Sequence, residues 1–313
     1  MNGTQERIVF LRRAAILCGV LVLVITSLSA FIRLSAAGLG CDDWPRCYGQ
    51  ALREAQRSLP ASAVESRAGA TARLVHRVVA VAVLLLVLAM VSTCLATTPR
   101  LPAQGVAALA LLALALFLAV LGIWTAGARV PAVAMGNLLG GFAMLAICAR
   151  MTVSTKPLKQ PHPAVSARTT LARVAIAVLA CQITLGALVS AGYAGLSCPN
   201  LMSCDFAGTT DLLASLNPLR EPWFDATTPV NPAGAPAHVV HRIGAFVTLV
   251  VLATLGVAAI RSGRHTDGLL LLALLAVQVT LGVLLVVLAL PLPLALAHNV
   301  VAALMLAVVL RLA

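Results

Sequence analysis

Eight stretches of this chain are apolar over about 20 residues, the first of them "AAILCGVLVLVITSLSAFIR" at 14–33. At 1.5 Å per residue a helix of that length spans about 30 Å, the thickness of a bilayer's hydrocarbon core. A helix also pairs its backbone polar groups internally, as lipid requires. Spans are therefore expected at 14–33, 74–95, 104–126, 130–150, 170–191, 238–260, 268–290 and 293–313. The predicted fold is all-α: a polytopic membrane protein with eight transmembrane helices. Composition agrees, because 10% of residues are charged, against about 25% in soluble domains. The first run follows the basic segment "RIVFLRR" without an A-x-A cleavage site and reads as a retained helix.

The formal net charge is +12, but the basic residues lie mainly between and beside the apolar runs. There they set topology and meet anionic lipid headgroups, so membrane lipid is the expected partner and nucleic acid is not. Arg7, Arg12 and Arg13 fall on one side, with Arg150, Lys156, Lys159, Arg168 and Arg173 of the middle linker and with Arg261 and Arg264. The positive-inside rule makes that side cytoplasmic, with both termini there. The bias is small, 12 basic residues against 10, because seven of the 10 belong to the first long loop and its edges.

Cysteines give a second indication. Cys18, Cys94, Cys148 and Cys181 lie within spans and read as small core residues. Cys41/Cys47 and Cys198/Cys204 lie in the two long loops, 34–73 and 192–237. An oxidising outer compartment would make these pairs disulfides. The alternatives are free thiols and a zinc site, the latter disfavoured by the five-residue spacing and the lack of a nearby histidine.

The chain repeats itself. "GLGC" at 38–41 matches "GLSC" at 195–198, "RLVHR" at 73–77 matches "HVVHR" at 238–242, and "QITLG" at 182–186 matches "QVTLG" at 278–282. A weaker "AVLG" stands at 119–122. These matches imply two tandem-duplicated four-helix bundles: an amino-terminal half at 1–151, a cytoplasmic linker at 152–169 and a carboxy-terminal half at 170–313. Parallel repeats also occur in transporters.

Of six histidines, His162 and His265 fall in connections and receive no role. His76, His238, His241 and His298 cluster near the outer ends of even-numbered spans. Ionisable groups within a membrane are costly and mark functional candidates, although a single histidine can serve as an interhelical hydrogen bond. Two imidazoles on facing helices are a usual means of holding a b-type haem, and His241 and His298 make such a pair. Arg77 and Arg242, each directly after a histidine, suit haem propionates or are snorkelling interface residues. Where symmetry asks for a second histidine in the first half, span four has Gly136-Asn137. An iron site there is expected to be more open, the condition for chemistry rather than electron transfer.

Together, "RLSAAGLGCDDWPRC" after span one, the His-Arg pairs at spans two and six, and the histidine in span eight resemble the haem A synthase family. The resemblance covers nearly the whole chain. It implies oxidation of the C8 methyl group of haem O to a formyl group for terminal cytochrome oxidases, through an alcohol and its hydrated gem-diol. It implies a cofactor haem b on His241 and His298, with Arg242 and His238 as propionate candidates, His238 alternatively lying at the interface. It implies a substrate haem on His76 with Arg77 and Asn137 nearby, and external disulfides Cys41–Cys47 and Cys198–Cys204. Trp44 and Arg46 make the first loop the better lid over a substrate. A bacterial plasma membrane location follows, with the cysteine loops outside. Haem O synthase and oxidase assembly factors follow as partners, and a homo-oligomer is left open.

Two positions depart from the family's pattern. A glutamate common three residues before the first-half histidine is Arg73 here, and Asn137 stands for the span-four histidine. Glu54 and Glu65 are the nearest carboxylates in that loop. The competing readings are a non-catalytic haem-binding assembly factor of the same fold and a parallel-repeat transporter.

Overall fold

The computed structural model describes residues 3–56, 67–96, 98, 100–125, 130–154, 165–204, 206, 211–222 and 231–313. His162, Glu65, Lys156 and Lys159 lie outside the described residues, as does most of the expected linker. The described chain is helical, in the order α1 (Gly3–Ala36), α2 (Gln50–Gln56), α3 (Arg67–Leu95), α4 (Pro102–Thr125), α5 (Pro131–Ser154), α6 (Val165–Ala191), α7 (Leu212–Ser215), α8 (Ala235–Arg261), α9 (His265–Val287) and α10 (Leu292–Leu312). Eight of these helices are long and apolar enough to cross a membrane. All the expected spans are present.

Most of the long helices start before their apolar stretches, α1 and α3 by the largest margins. α1 begins at Gly3 rather than near 14, because Glu, Arg and Leu are good helix formers outside lipid as well as within it. Its extension is anchored: Arg7 Nη2 donates to the Thr93 carbonyl at 2.6 Å, covering one of the carbonyls that the last turn of α3 leaves unpaired. α3 begins at Arg67, so His76 sits more than two turns inside the helix rather than at its opening.

The packing is a ring repeated once. α1 packs on α3 and α5, α3 on α4, and α4 on α5. α6 packs on α8, α8 on α9, α9 on α10, and α10 back on α6. The histidine-bearing α3 stands diagonally across its ring from α5, and α8 stands diagonally across from α10. The rings meet through α5 with α6, α1 with α10, and α5 with α10. That exchange of equivalent helices is what a two-fold relation between repeats requires. The Arg33 guanidinium on α1 also crosses the seam, donating to Ser190 Oγ on α6 at 2.5 Å.

A core of Leu11, Val22, Val87, Met90, Leu111, Leu252, Leu255, Leu271 and Met305 fills the middle of the bundle. Cys18, Cys94 and Cys148 are buried, as expected of small core residues, whereas Cys181 is exposed on the outer face of α6. Close helix approach relies on small residues. A Cβ on Gly268 of α9 would lie 2.6 Å from the Gly256 carbonyl oxygen of α8. At that same end Asp267 pairs with Arg264 at 2.8 Å and Arg311 at 2.9 Å, tying α9 to α10.

Candidate functional site

At the opposite end, which carries both cysteine loops, the two copies of Gly-Leu-x-Cys use their first glycine differently. Gly38 has φ +96° and abuts the Cys47 carbonyl, so the turn excludes a side chain. On Gly195 a Cβ would lie 2.7 Å from Leu290 Cδ2. Cys41–Cys47 and Cys198–Cys204 are both disulfides, with Cα–Cα distances of 6.7 and 4.4 Å.

The first loop does not hang free over its own half. Trp44 Nε1 donates to the Ala289 carbonyl in the α9–α10 turn at 3.0 Å. Tyr48 stacks obliquely on Tyr193 at 5.6 Å between ring centroids. Burial, and the neighbouring phenol, push Tyr48 above the usual phenol range, and burial does the same to Tyr193. The loop is thus an apolar brace between the halves, built with Leu39, Leu292 and Leu296. Its indole thereby reaches across to the other half. Glu54 lies in α2, where its carboxylate accepts from Gln50 at 2.8 Å.

The second loop is clamped by Arg242. Its guanidinium donates to the carbonyls of Cys198 at 3.0 Å, Asn200 at 2.8 Å and Leu201 at 3.0 Å. Arg242 is thus a strut joining the disulfide loop to α8, and its Nε is buried without a hydrogen-bond partner among the described residues. His238 is 6% exposed, with Nδ1 3.1 Å from the Ala194 carbonyl. It is therefore packed inside the protein rather than at the lipid interface.

His241 is the seventh residue of α8 and His298 the seventh of α10, about 9 Å along each helix. They stand at matching depth on diagonal corners of one ring. Each ring packs against a glycine of the neighbouring helix, tightly at His241 and at ordinary contact distance at His298. A Cβ on Gly186 of α6 would lie 2.9 Å from His241 Cε1, and one on Gly282 of α9 would lie 3.5 Å from His298 Cε1. Gln182 Nε2 lies 3.1 Å from His241 Nδ1 and donates to the His241 carbonyl at 3.0 Å. His298 Nδ1, Gln278 Oε1 and Gln182 Oε1 are buried without a hydrogen-bond partner among the described residues. Two imidazoles at matching depth on diagonal helices match the donor set of a six-coordinate b-type haem.

The first ring is built differently. His76 is half-buried on α3, with Arg77 exposed after it, and Asn137 is half-buried as the seventh residue of α5. Gly136 faces Leu121 of α4, one residue before Gly122, where a Cβ would lie 2.8 Å from Leu121 Cδ2. The first ring thus places one imidazole on its histidine diagonal, where the second places two. Sequence reading did not assign Gln182, Gln278, Gly186 or Gly282 to the site. The signal was present as the repeated Gln-x-Thr-Leu-Gly.

Known proteins match on this scale. A family model described as cytochrome oxidase assembly protein matches residues 12–310. The heme A synthase of Shewanella oneidensis is 36% identical over 304 residues, covering 92% of this chain and 91% of that protein.

Proposed function

The chain belongs to the cytochrome oxidase assembly protein family, and from that premise we propose that it is a haem A synthase acting on haem O. The observation that carries this reading is the contrast between the rings. His241 and His298 stand at matching depth on diagonal helices of one ring, whereas the helix diagonal to that of His76 has Gly136-Asn137 in place of a second imidazole.

In this reading His241 and His298 hold a cofactor haem b, whose chemistry is one-electron transfer between a donor and an acceptor. His76 positions the substrate, with Asn137 on the facing helix. Two successive two-electron oxidations convert the substrate methyl group first to the alcohol, with oxygen from water and release of two protons, and then to the aldehyde through the hydrated diol. The α1–α10 and α5–α6 seams bring the halves into contact along their length, which suits electron passage between two sites in one chain.

The test is incubation of the purified protein with haem O and an electron acceptor. Hydroxylated haem and haem A are the expected products. A competing reading, a non-catalytic haem-binding assembly factor of the same fold, draws on Arg73 standing where the family pattern has a carboxylate. It predicts bound haem and no product.

In this reading the cysteine loops lie on the outer side of a bacterial plasma membrane, with both termini inside, as the distribution of basic residues and the paired cysteines suggest. In intact spheroplasts, Cys41, Cys47, Cys198 and Cys204 are expected to react with a membrane-impermeant maleimide only after addition of an impermeant reductant. Labelling that instead requires permeabilised membranes would reverse the orientation.

A further inference from the structure

The repeated Gln-x-Thr-Leu-Gly lies on α6 and α9, the two corners of the second ring that do not carry the histidines. Its glycine meets the imidazole of the neighbouring helix in both cases: Gly186 meets His241, and Gly282 meets His298. One turn earlier in each copy stands a glutamine. Residues four apart share a helix face, so the glutamine lies beside the ring that the glycine receives. In the first copy the contact is complete, with Gln182 Nε2 3.1 Å from His241 Nδ1. In the second copy the two atoms that would complete it, Gln278 Oε1 and His298 Nδ1, are both buried and unpaired among the described residues.

We propose that Gln182 and Gln278 are positioning residues that hold Nδ1 of the two haem-ligating histidines, while Gly186 supplies the clearance that seats the His241 ring and Gly282 packs at ordinary contact distance from that of His298. The inference rests on the reading that His241 and His298 bind haem. An imidazole that ligates iron through Nε2 carries its proton on Nδ1, and that proton calls for an oxygen acceptor. Gln278 Oε1 is such an acceptor. At the other site Gln182 Oε1 reaches Nδ1 by a half-turn of the amide, which gives up the bond to the His241 carbonyl. The amide has a fixed place in which to turn, because Gly244, three residues beyond His241, packs directly against Gln182 Oε1.

The first ring lacks this device. Aligning "GLGC" with "GLSC" puts Ile25 where α6 has Gln182 and Ser29 where it has Gly186, and aligning "AVLG" with "VTLG" puts Leu118 where α9 has Gln278. A glutamine pair is therefore a feature of the paired-imidazole ring alone.

The test uses the full-length protein purified with its haem. Partners of this kind are worth about 10- to 100-fold in affinity for the metal group they support. Gln278→Leu and Gln182→Leu are each expected to weaken haem retention by about that factor in competition with apomyoglobin. Gln278→Glu, which keeps an acceptor and adds charge, is expected to retain haem while lowering its midpoint potential and shifting its low-spin EPR g values. A merely structural glutamine would not move the potential. If both leucine variants retain haem with wild-type affinity and Gln278→Glu keeps the wild-type potential and g values, the inference is overturned. His298→Ala separates this failure from failure of the underlying reading: a wild-type spectrum in that variant means that the histidine pair does not bind haem at all.

Discussion

His298→Ala is expected to abolish the bis-imidazole low-spin signal of the purified protein, in its absorption bands and its EPR spectrum alike. His241→Ala should do the same. The second ring offers these imidazoles from diagonal helices at matching depth, and each packs against a glycine of the neighbouring helix. Removing one leaves the iron five-coordinate or water-ligated, which changes the spin state completely rather than by degrees. Loss of fold is not the expected cause. Leu252, Leu255, Leu271 and Met305, which hold α8, α9 and α10 together, lie deeper in the bundle and are untouched by the substitution. A far-UV circular dichroism spectrum equal to wild type checks that point. Persistence of the wild-type signal in either variant would sink the ligand assignment, and the role of the second half with it.

Much of this architecture could be read from sequence because lipid imposes a simple rule. A run of about 20 apolar residues has few outcomes other than a helix, so all eight spans were legible. The ends of the helices were less so. The apolar pattern stops where lipid stops, but helix propensity does not, and α1 therefore runs back to Gly3. Arg242 shows a different limit. An arginine beside a ligand histidine suits a propionate, yet which acceptor it meets depends on how the second cysteine loop folds over α8, and no local pattern encodes that. Trp44 is similar, because its partner Ala289 lies 245 residues away in the other half. Gln182 and Gln278 were visible as a repeat and silent as to role. Their meaning lies in which helix each faces, a property of the ring and not of the segment.

His76→Ala is the complementary experiment, with an expected fall in haem A formation of at least about 100-fold and an unchanged bis-imidazole spectrum. The size follows from positioning: a displacement of about 1 Å at a reacting centre costs on the order of 100-fold in rate, and loss of the only imidazole on the first ring's histidine diagonal removes the anchor altogether. The unchanged spectrum follows from the separation of the rings, since α3 packs on α1 and α4 whereas His241 and His298 belong to α8 and α10. The pair of outcomes discriminates sharply. If His76→Ala also loses the low-spin signal, the halves share one haem and the division into substrate and cofactor rings is wrong. If it loses nothing, the first ring is not the site of oxidation. Arg73, on the same helix face one turn before His76, sharpens the test further. With an arginine there in place of a carboxylate, proton removal must fall to water or to the substrate's own propionates. Arg73→Glu then tests that arrangement: faster turnover in this variant identifies proton removal as the limiting step, and unchanged turnover assigns the limit to electron transfer or product release.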